Sequence, residues 1–402
     1  MSFKKFLLIT IILLFTTNCS NDSQELSIDY EKYTLDNGLK VILHKDSSDP
    51  LVAISTIVHV GSNREKPGKT GFAHFFEHMA FTASENTPRG ANRLLIPTWG
   101  GSRNGGTSFD YTIYYEVVPK DALEKLMWID SDRLGFMINT VDAETLEGEI
   151  QVVKNEKRQR VDNQPYGHSS GIIQKALYPQ GHPYSWSVIG ELEDLQAATI
   201  EDVKEFYNEF YGPSNATVVI AGDIDFDETK QLVERWFGEI KPNKNVIEKP
   251  KVRLVTLSET KKLYHLDKYA QLPQLSLTFP TVEQFSKDSY ALNTLGELLS
   301  DGRNSVFYKE IIEKLKTIGV NAVSCDSWQE FNQLISNTQA PQTAVAVSAF
   351  NEGATLNGAH ISIIAEPELF GVTIKPKNSS TKENLDFATV KPGELIELSF
   401  EL

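Results

Sequence analysis

At 402 residues the chain is long enough for two or three domains, each with its own core. Its composition, 40% hydrophobic and 23% charged, is that of a globular protein and excludes the disordered and coiled-coil classes. A net charge of −15 argues against general nucleic-acid binding, which needs a basic footprint, and at most steers cationic peptides towards the chain.

The first residues read as a targeting segment. Lys4 and Lys5 supply a positive start, and Phe6 to Phe15 is an almost unbroken apolar run. That run falls short of the roughly 20 apolar residues a bilayer span needs but suits a signal-peptide core. Cys19 follows, ahead of the polar Ser20-Asn21-Asp22-Ser23. A cysteine so placed resembles a bacterial lipoprotein processing site, although Asn18 stands where a small residue is usual. Segment 1–19 is therefore expected to direct export, to the periplasm or to a membrane through lipid on Cys19. Only Cys325 remains in the mature chain, so no internal disulfide can form.

Residues 20–29 read as a polar tether. Lys40–His44 and Leu51–Val60 are apolar runs expected as neighbouring strands across the turn Lys45–Pro50. After the loop Gly61–Lys69, a helix is expected from about Thr70, burying Phe72, Phe75, Phe76 and Met79. A strand pair should flank the glycine cluster Gly100–Gly106, with Tyr111–Val117 as its second run. Asp121–Leu134 reads as helical, and Asp142 as the N-cap of a long helix reaching about Val161. Then come a loop over Tyr178–Trp186, a helix over Thr199–Phe210, a strand over Ala216–Ala221 and a helix over Phe226–Phe237. Lys241–Lys251, with two prolines and four lysines, reads as a linker. The order restarts with a strand at Leu275–Phe279 and helices at Ser289–Leu299 and Ser305–Leu315. From about Gln333, short alternating runs (Ala344–Ala349, His360–Ile364, Gly371–Ile374 and Leu395–Leu402) read as a small antiparallel β module.

The chemistry centres on His74-Phe75-Phe76-Glu77-His78. Positions i and i+4 share a helix face, so His74 and His78 can present both imidazoles to one ion, with Glu77 on the same side. A catalytic zinc takes three protein ligands and keeps one open position, so another ligand must come from a distance. A carboxylate beside that position can act as general base on zinc-bound water, whose pKa falls to about 7; Glu77 suits that role. A His-x-x-x-His pair can equally be a surface or core pair, and the spacing alone leaves both readings open.

Two further glutamates, Glu149 and Glu156, share a helix face in the setting Val152-Val153-Lys154-Asn155-Glu156. With the inverted motif H-x-x-E-H, these residues resemble the pitrilysin/insulinase family of zinc metallopeptidases, which includes the mitochondrial processing peptidases. That family places a glutamate ligand some seventy to eighty residues after the motif, and Glu156 lies 78 after His78 (156 − 78). The resemblance makes Glu156 the third ligand of one zinc per chain and Glu149 a support that does not bind the metal directly. Gly100–Ser108 through Asp110, Tyr114 and Tyr115 is similar to the family's edge strand, on which the peptide substrate adds as a further strand. Asn104, Gly105 and Thr107 are then the expected substrate contacts. Gly181-His182-Pro183-Tyr184 and Ala216–Asp223 also fit, with His182 structuring its loop rather than binding metal. His44, His59, His168, His265 and His360 lack a partner pattern and read as structural or surface residues.

The resemblance implies an α+β fold: a two-layer metallopeptidase half over 30–240, a linker over 241–259 and a shortened, metal-free second half over 260–332. A β-rich segment over 333–402 completes the chain, and the family's C-terminal Arg and Tyr substrate contacts have no counterpart in it. The expected function is a zinc endopeptidase acting on extended peptides or unfolded segments, with no nucleic-acid partner. The alternative is a peptide-binding or partner-dependent subunit of a homo- or heterodimer, inactive alone because its second half is incomplete. A third reading, a purely structural zinc, would add a fourth protein ligand such as Cys325.

Overall fold

The computed structural model describes residues 27–243, 248, 255–270, 274–313, 321–324, 344–350, 360–364 and 395–396. The targeting segment with Cys19, most of the tether, much of the linker and the strand expected at Gly371–Ile374 lie outside the described residues.

A six-stranded sheet organises the N-terminal part. Its strands are β1 (Glu31–Thr34), β2 (Lys40–Lys45), β3 (Leu51–Val58), β4 (Ser102–Thr107), β5 (Thr112–Pro119) and β6 (Ala216–Gly222), in the order β1-β2-β6-β3-β5-β4. Contrary to the expectation from sequence, β2 and β3 are not neighbours. β6 lies between them, parallel to β2 (Val41 opposite Val218) and antiparallel to β3 (Ile54 opposite Ile220). The physical reason is the β6 sequence itself: Ala216, Val218 and Ile220 are buried, and a nearly continuous apolar run is stable only at the centre of a sheet. The glycines near 100 are also placed differently, since Gly105 and Gly106 lie inside β4 rather than between two strands.

The helices of this part are α1 (Phe72–Met79), α2 (Ala91–Thr98), α3 (Leu123–Phe136), α4 (Ala143–Lys157), α5 (Ser169–Leu177), α6 (Leu192–Gln196), α7 (Ile200–Phe210) and α8 (Phe226–Phe237). Of these, α2, α5 and α6 are additional to the helices expected from the sequence. α4 starts where its cap predicts: the Asp142 side chain accepts from the Thr145 amide at 2.8 Å. α7 carries a reciprocal capping box between Thr199 and Asp202. One contiguous core joins these helices to the sheet through residues such as Val52, Ile54, Leu126, Val153, Val203 and Phe237.

α1 is anchored in that core by its aromatic face. Phe76 is fully buried and stacks on Phe206 with ring centroids 5.1 Å apart, and it lies 5.3 Å from Tyr211. Burying Phe75 and Phe76 stabilises this placement by about 1.5–3 kcal/mol each. The opposite face of α1 is thereby turned towards β4 and α4.

Beyond residue 273, β7 (Gln274–Thr278), β8 (Asn321–Ser324), β9 (Ala344–Phe350), β10 (His360–Ile364) and β11 (Leu395–Ile396) form a second sheet in the order β11-β7-β10-β9-β8. β9 and β10 pair antiparallel as expected, but the tail strands share a sheet with β7 rather than forming a module of their own. β10 also pairs antiparallel with β7, while β11 runs parallel to β7 and β8 parallel to β9. Two strands of equal apolar pattern can pair in either direction, and local sequence does not choose between them. α9 (Lys287–Ser300) accompanies this sheet, and the helix expected at Ser305–Leu315 is represented by a π-helical stretch at Tyr308–Glu313. No described helix is long and apolar enough to cross a membrane.

Candidate metal centre

The start of α1 is fixed by residues outside it. Its N-cap, Gly71, has a positive φ of 86° and no side chain to satisfy the first amides. Glu65 replaces the missing cap: one carboxylate oxygen accepts from the Gly71 amide at 2.9 Å and the other from the Ala73 amide at 2.8 Å. Thr70 is held in turn by Asp194, through its amide at 3.0 Å and its hydroxyl at 2.6 Å. A carboxylate at a helix N-terminus also complements the helix dipole. Glu65 is inconspicuous in the sequence, where it looks like one more charge in a polar loop.

Burial pushes the Glu65 carboxyl up to about 8, against the pull of the two amide bonds. A carboxyl held above its unfolded value binds its proton more tightly when folded. Its contribution to stability is thus fully present below about pH 4.5 and is lost as pH rises towards 8. Unfolding by urea at pH 5, 6.5 and 8 should show stability falling by up to a few kcal/mol, since each tenfold difference in proton affinity between the folded and unfolded chain is worth about 1.4 kcal/mol. Glu65→Gln should be less stable at pH 5 and show a flatter pH dependence; an unchanged slope would remove Glu65 as its source.

On the face of α1 turned away from the core, His74, Glu77 and His78 place ligand atoms within 4.8 Å of one another. The imidazole rings stand nearly perpendicular with centroids 4.7 Å apart. α4 brings Glu156 to them from across the groove. Its Oε2 lies 2.9 Å from His78 Nε2 and 3.6 Å from His74 Nε2, while Glu77 Oε2 is 3.9 Å from His74 Nε2. Arg160 Nη1 holds the other oxygen, Oε1, at 2.8 Å from the π-helical turn Arg158–Asp162 that ends α4. Glu156 Oε2 is buried, with His78 Nε2 at hydrogen-bond distance and His74 Nε2 a little further off, and His74 Nδ1 is buried without a partner among the described residues. A buried carboxylate oxygen converging with two imidazole nitrogens is a donor set that fits a divalent cation between them.

The charges suit that purpose. Burial first, then the neighbouring His78, lowers the His74 pKa to about 4, which keeps its lone pair free at neutral pH. For His78, burial acts downward but is outweighed by Glu156, Glu77 and Glu149, so its net shift is upward. The close approach of His78, with the charges of His74 and Arg160, holds the Glu156 carboxyl below the usual range. Burial raises Glu77. Glu149, two turns before Glu156 on α4, is buried and acts on His78 through its charge, without a hydrogen bond to either histidine.

Among the described residues β4 is an edge strand, paired with β5 on one side and with no strand on the other. Gly105 faces α1 so closely that a Cβ there would sit 2.9 Å from Glu77 Oε1 and 2.8 Å from the Phe81 ring. Asn104 is exposed, and its Oδ1 accepts from the Gly105 amide at 2.9 Å. Thr107 ends the strand with its hydroxyl buried and unpaired. The remaining histidines have other surroundings: His44 Nδ1 is 2.7 Å from the Asp29 carbonyl, His59 Nε2 is 3.0 Å from the Thr217 hydroxyl, and His182 accepts from the Tyr184 amide.

Comparison with known proteins gives the family of this fold. The family model described as insulinase (peptidase family M16) matches residues 40–182, and that of the peptidase M16 inactive domain matches residues 197–348. The zinc protease PqqE of Helicobacter pylori is 31% identical over 320 residues, covering 78% of this chain and 70% of that protein. The chain belongs to the M16 peptidase family. Two solved structures share its fold. The crystal structure of a protease from Helicobacter pylori has a TM-score of 0.67 at 24% identity, covering 85% of this chain and 75% of the other. The periplasmic protease PqqL from Escherichia coli has a TM-score of 0.59 at 21% identity, covering 85% of this chain but only 36% of that longer one.

Proposed function

We propose that the chain is a zinc-dependent endopeptidase that hydrolyses extended peptides or unfolded segments. The observation that carries the proposal is the buried Glu156 oxygen converging on His74 and His78 across two helices. His74, His78 and Glu156 would hold the ion, with Glu149 tuning His78 by charge. When bound, zinc supplies Lewis-acid polarisation of a carbonyl and lowers the pKa of water.

The chain's own residues do the rest. An extended peptide pairs along the open edge of β4, where Gly105 lets it approach Glu77 and Asn104 and Thr107 border it. Glu77 takes a proton from the attacking water and returns it to the leaving amine. Its burial suits both steps, because a raised carboxyl is a stronger base and is readily reprotonated. Residues 1–19 would export the chain, to the periplasm or onto a membrane through Cys19, with domains over 30–240 and 260–332 and a β-rich segment over 333–402.

The test is metal analysis of the purified protein beside a peptide-cleavage assay. The wild type should carry one zinc per chain, and Glu156→Gln should lose at least about tenfold in zinc affinity with cleavage falling in parallel. Full retention of zinc by that variant would remove Glu156 from the ligand set.

One observation favours a partner-dependent variant of this reading. Tyr290, Leu295 and Leu298 of α9 are 61%, 47% and 64% exposed, more apolar surface than one helix usually presents to water. Size-exclusion chromatography of the active species distinguishes the two, since full activity in a monomer rejects the partner requirement.

A further inference from the structure

Beside the catalytic groups lies a cation that the fold leaves unmatched. Arg103 is on β4, two residues from Gly105 and therefore on the same face of the strand, the one turned to α1. Its guanidinium sits 4.8 Å over the ring of Phe81, whose far edge closes against Gly105. Arg103 is half-buried, yet it makes no ion pair or hydrogen bond with any described residue. Its cross-strand neighbour on β5 is Glu116, which would ordinarily be its partner. That carboxylate instead gives Oε1 to Arg133, 2.9 Å from its Nη1 in the buried layer below, and with Glu77 it acts on Arg103 through charge alone. In a chain with net charge −15, Arg133, Arg160 and Arg235 each have a carboxylate, so an unmatched, partly desolvated arginine beside the site is unusual. Arg93 of α2 adds a second positive charge near it, also without a partner among the described residues.

Resting on the peptidase reading above, we propose that Arg103, reinforced by Arg93, is a subsite for a carboxylate of the substrate near the scissile bond. A strand added to β4 places the residue opposite Arg103 two positions from the one opposite Gly105 and Glu77, about 7 Å along the chain. A planar guanidinium backed by an aromatic ring is prepared for a two-pronged bond to a carboxylate, and the incoming charge relieves both its burial and its repulsion from Arg93. The carboxylate comes from an Asp or Glu side chain or from a peptide C-terminus. The chain's overall negative charge would discourage such substrates at long range, so selection falls to this short-range contact.

The experiment uses C-terminally amidated peptides in which Glu or Gln is moved one position at a time through the cleaved segment, with a second set bearing free C-termini. In the wild type, kcat/KM should favour Glu over Gln by about tenfold or more at one position. Arg103→Met should bring that ratio close to one, and Arg103→Lys should restore part of it; the ratio is not moved by a general loss of activity. Preference only for free C-termini would assign the carboxylate to the chain end and keep the subsite. A ratio near one throughout, or a preference that persists in Arg103→Met, overturns the proposal while leaving the peptidase reading intact. Absence of any cleavage rejects instead the reading of the chain as a peptidase active on its own. Affinity of the Glu77→Gln protein for the same peptide pairs then decides the subsite, with equal binding of Glu and Gln peptides counting against it.

Discussion

Glu77→Gln is expected to lower peptide cleavage by about 10²- to 10⁴-fold, the usual contribution of a general base, while zinc stays bound at one per chain. The two halves of this result test different claims. Glutamine keeps the shape of the side chain, and its carbonyl oxygen can still occupy the space beside Gly105, where Glu77 Oε1 lies close to the strand. What it loses is the ability to accept a proton and give it back. Substrate affinity should change little, so the loss belongs in kcat rather than in KM. Normal cleavage by this variant would end the base assignment. Loss of zinc would mean something else, that Glu77 is a ligand, since the compact cluster contains His74, Glu77 and His78. Metal analysis and cleavage on one preparation separate these outcomes.

The parts of this site legible in the sequence are those set by local spacing. His74 and His78 share a face because a helix returns every 3.6 residues, and Asp142 fixes where α4 begins, which sets the height of Glu156. The helix over Phe226–Phe237 lies within its expected bounds because its apolar residues repeat cleanly and Asp225 caps it. What spacing does not carry is which distant segments meet. β6 enters the sheet between β2 and β3 from more than 150 residues away, and nothing near β2 announces it. Glu65 is a cap that acts from outside its helix, so no capping pattern at Gly71 reveals it. The unmatched state of Arg103 depends on Glu116 being engaged from α3, a contact that exists only once the sheet and helix have packed.

That engagement gives the largest expected effect on stability. Arg133 is buried between Glu116 and Asp130, both 0% exposed, with Nη1 2.9 Å from Glu116 and Nη2 bonded to Asp130. Its guanidinium also lies 4.4 Å over the Tyr114 ring and 5.6 Å over that of Phe81. Arg133→Met should destabilise the protein by about 3–5 kcal/mol, because it leaves two acidic groups in the core without their cation. Protonation is the only compensation open to them. Burial, opposed by Arg133, already raises the Asp130 carboxyl, and removing the cation can only strengthen its hold on the proton. The loss should therefore be smaller at pH 5 than at pH 8, as read by urea unfolding with an unchanged m-value. A uniform loss across that range would mean that the side chain's packing, not its charge, carries the effect. The consequence extends to the site, since Phe81 supports Arg103 and closes against Gly105, whose position borders Glu77. The fraction of Arg133→Met that still folds should then discriminate less between Glu and Gln peptides than the wild type, because the ring under Arg103 has lost the cation that holds it from below.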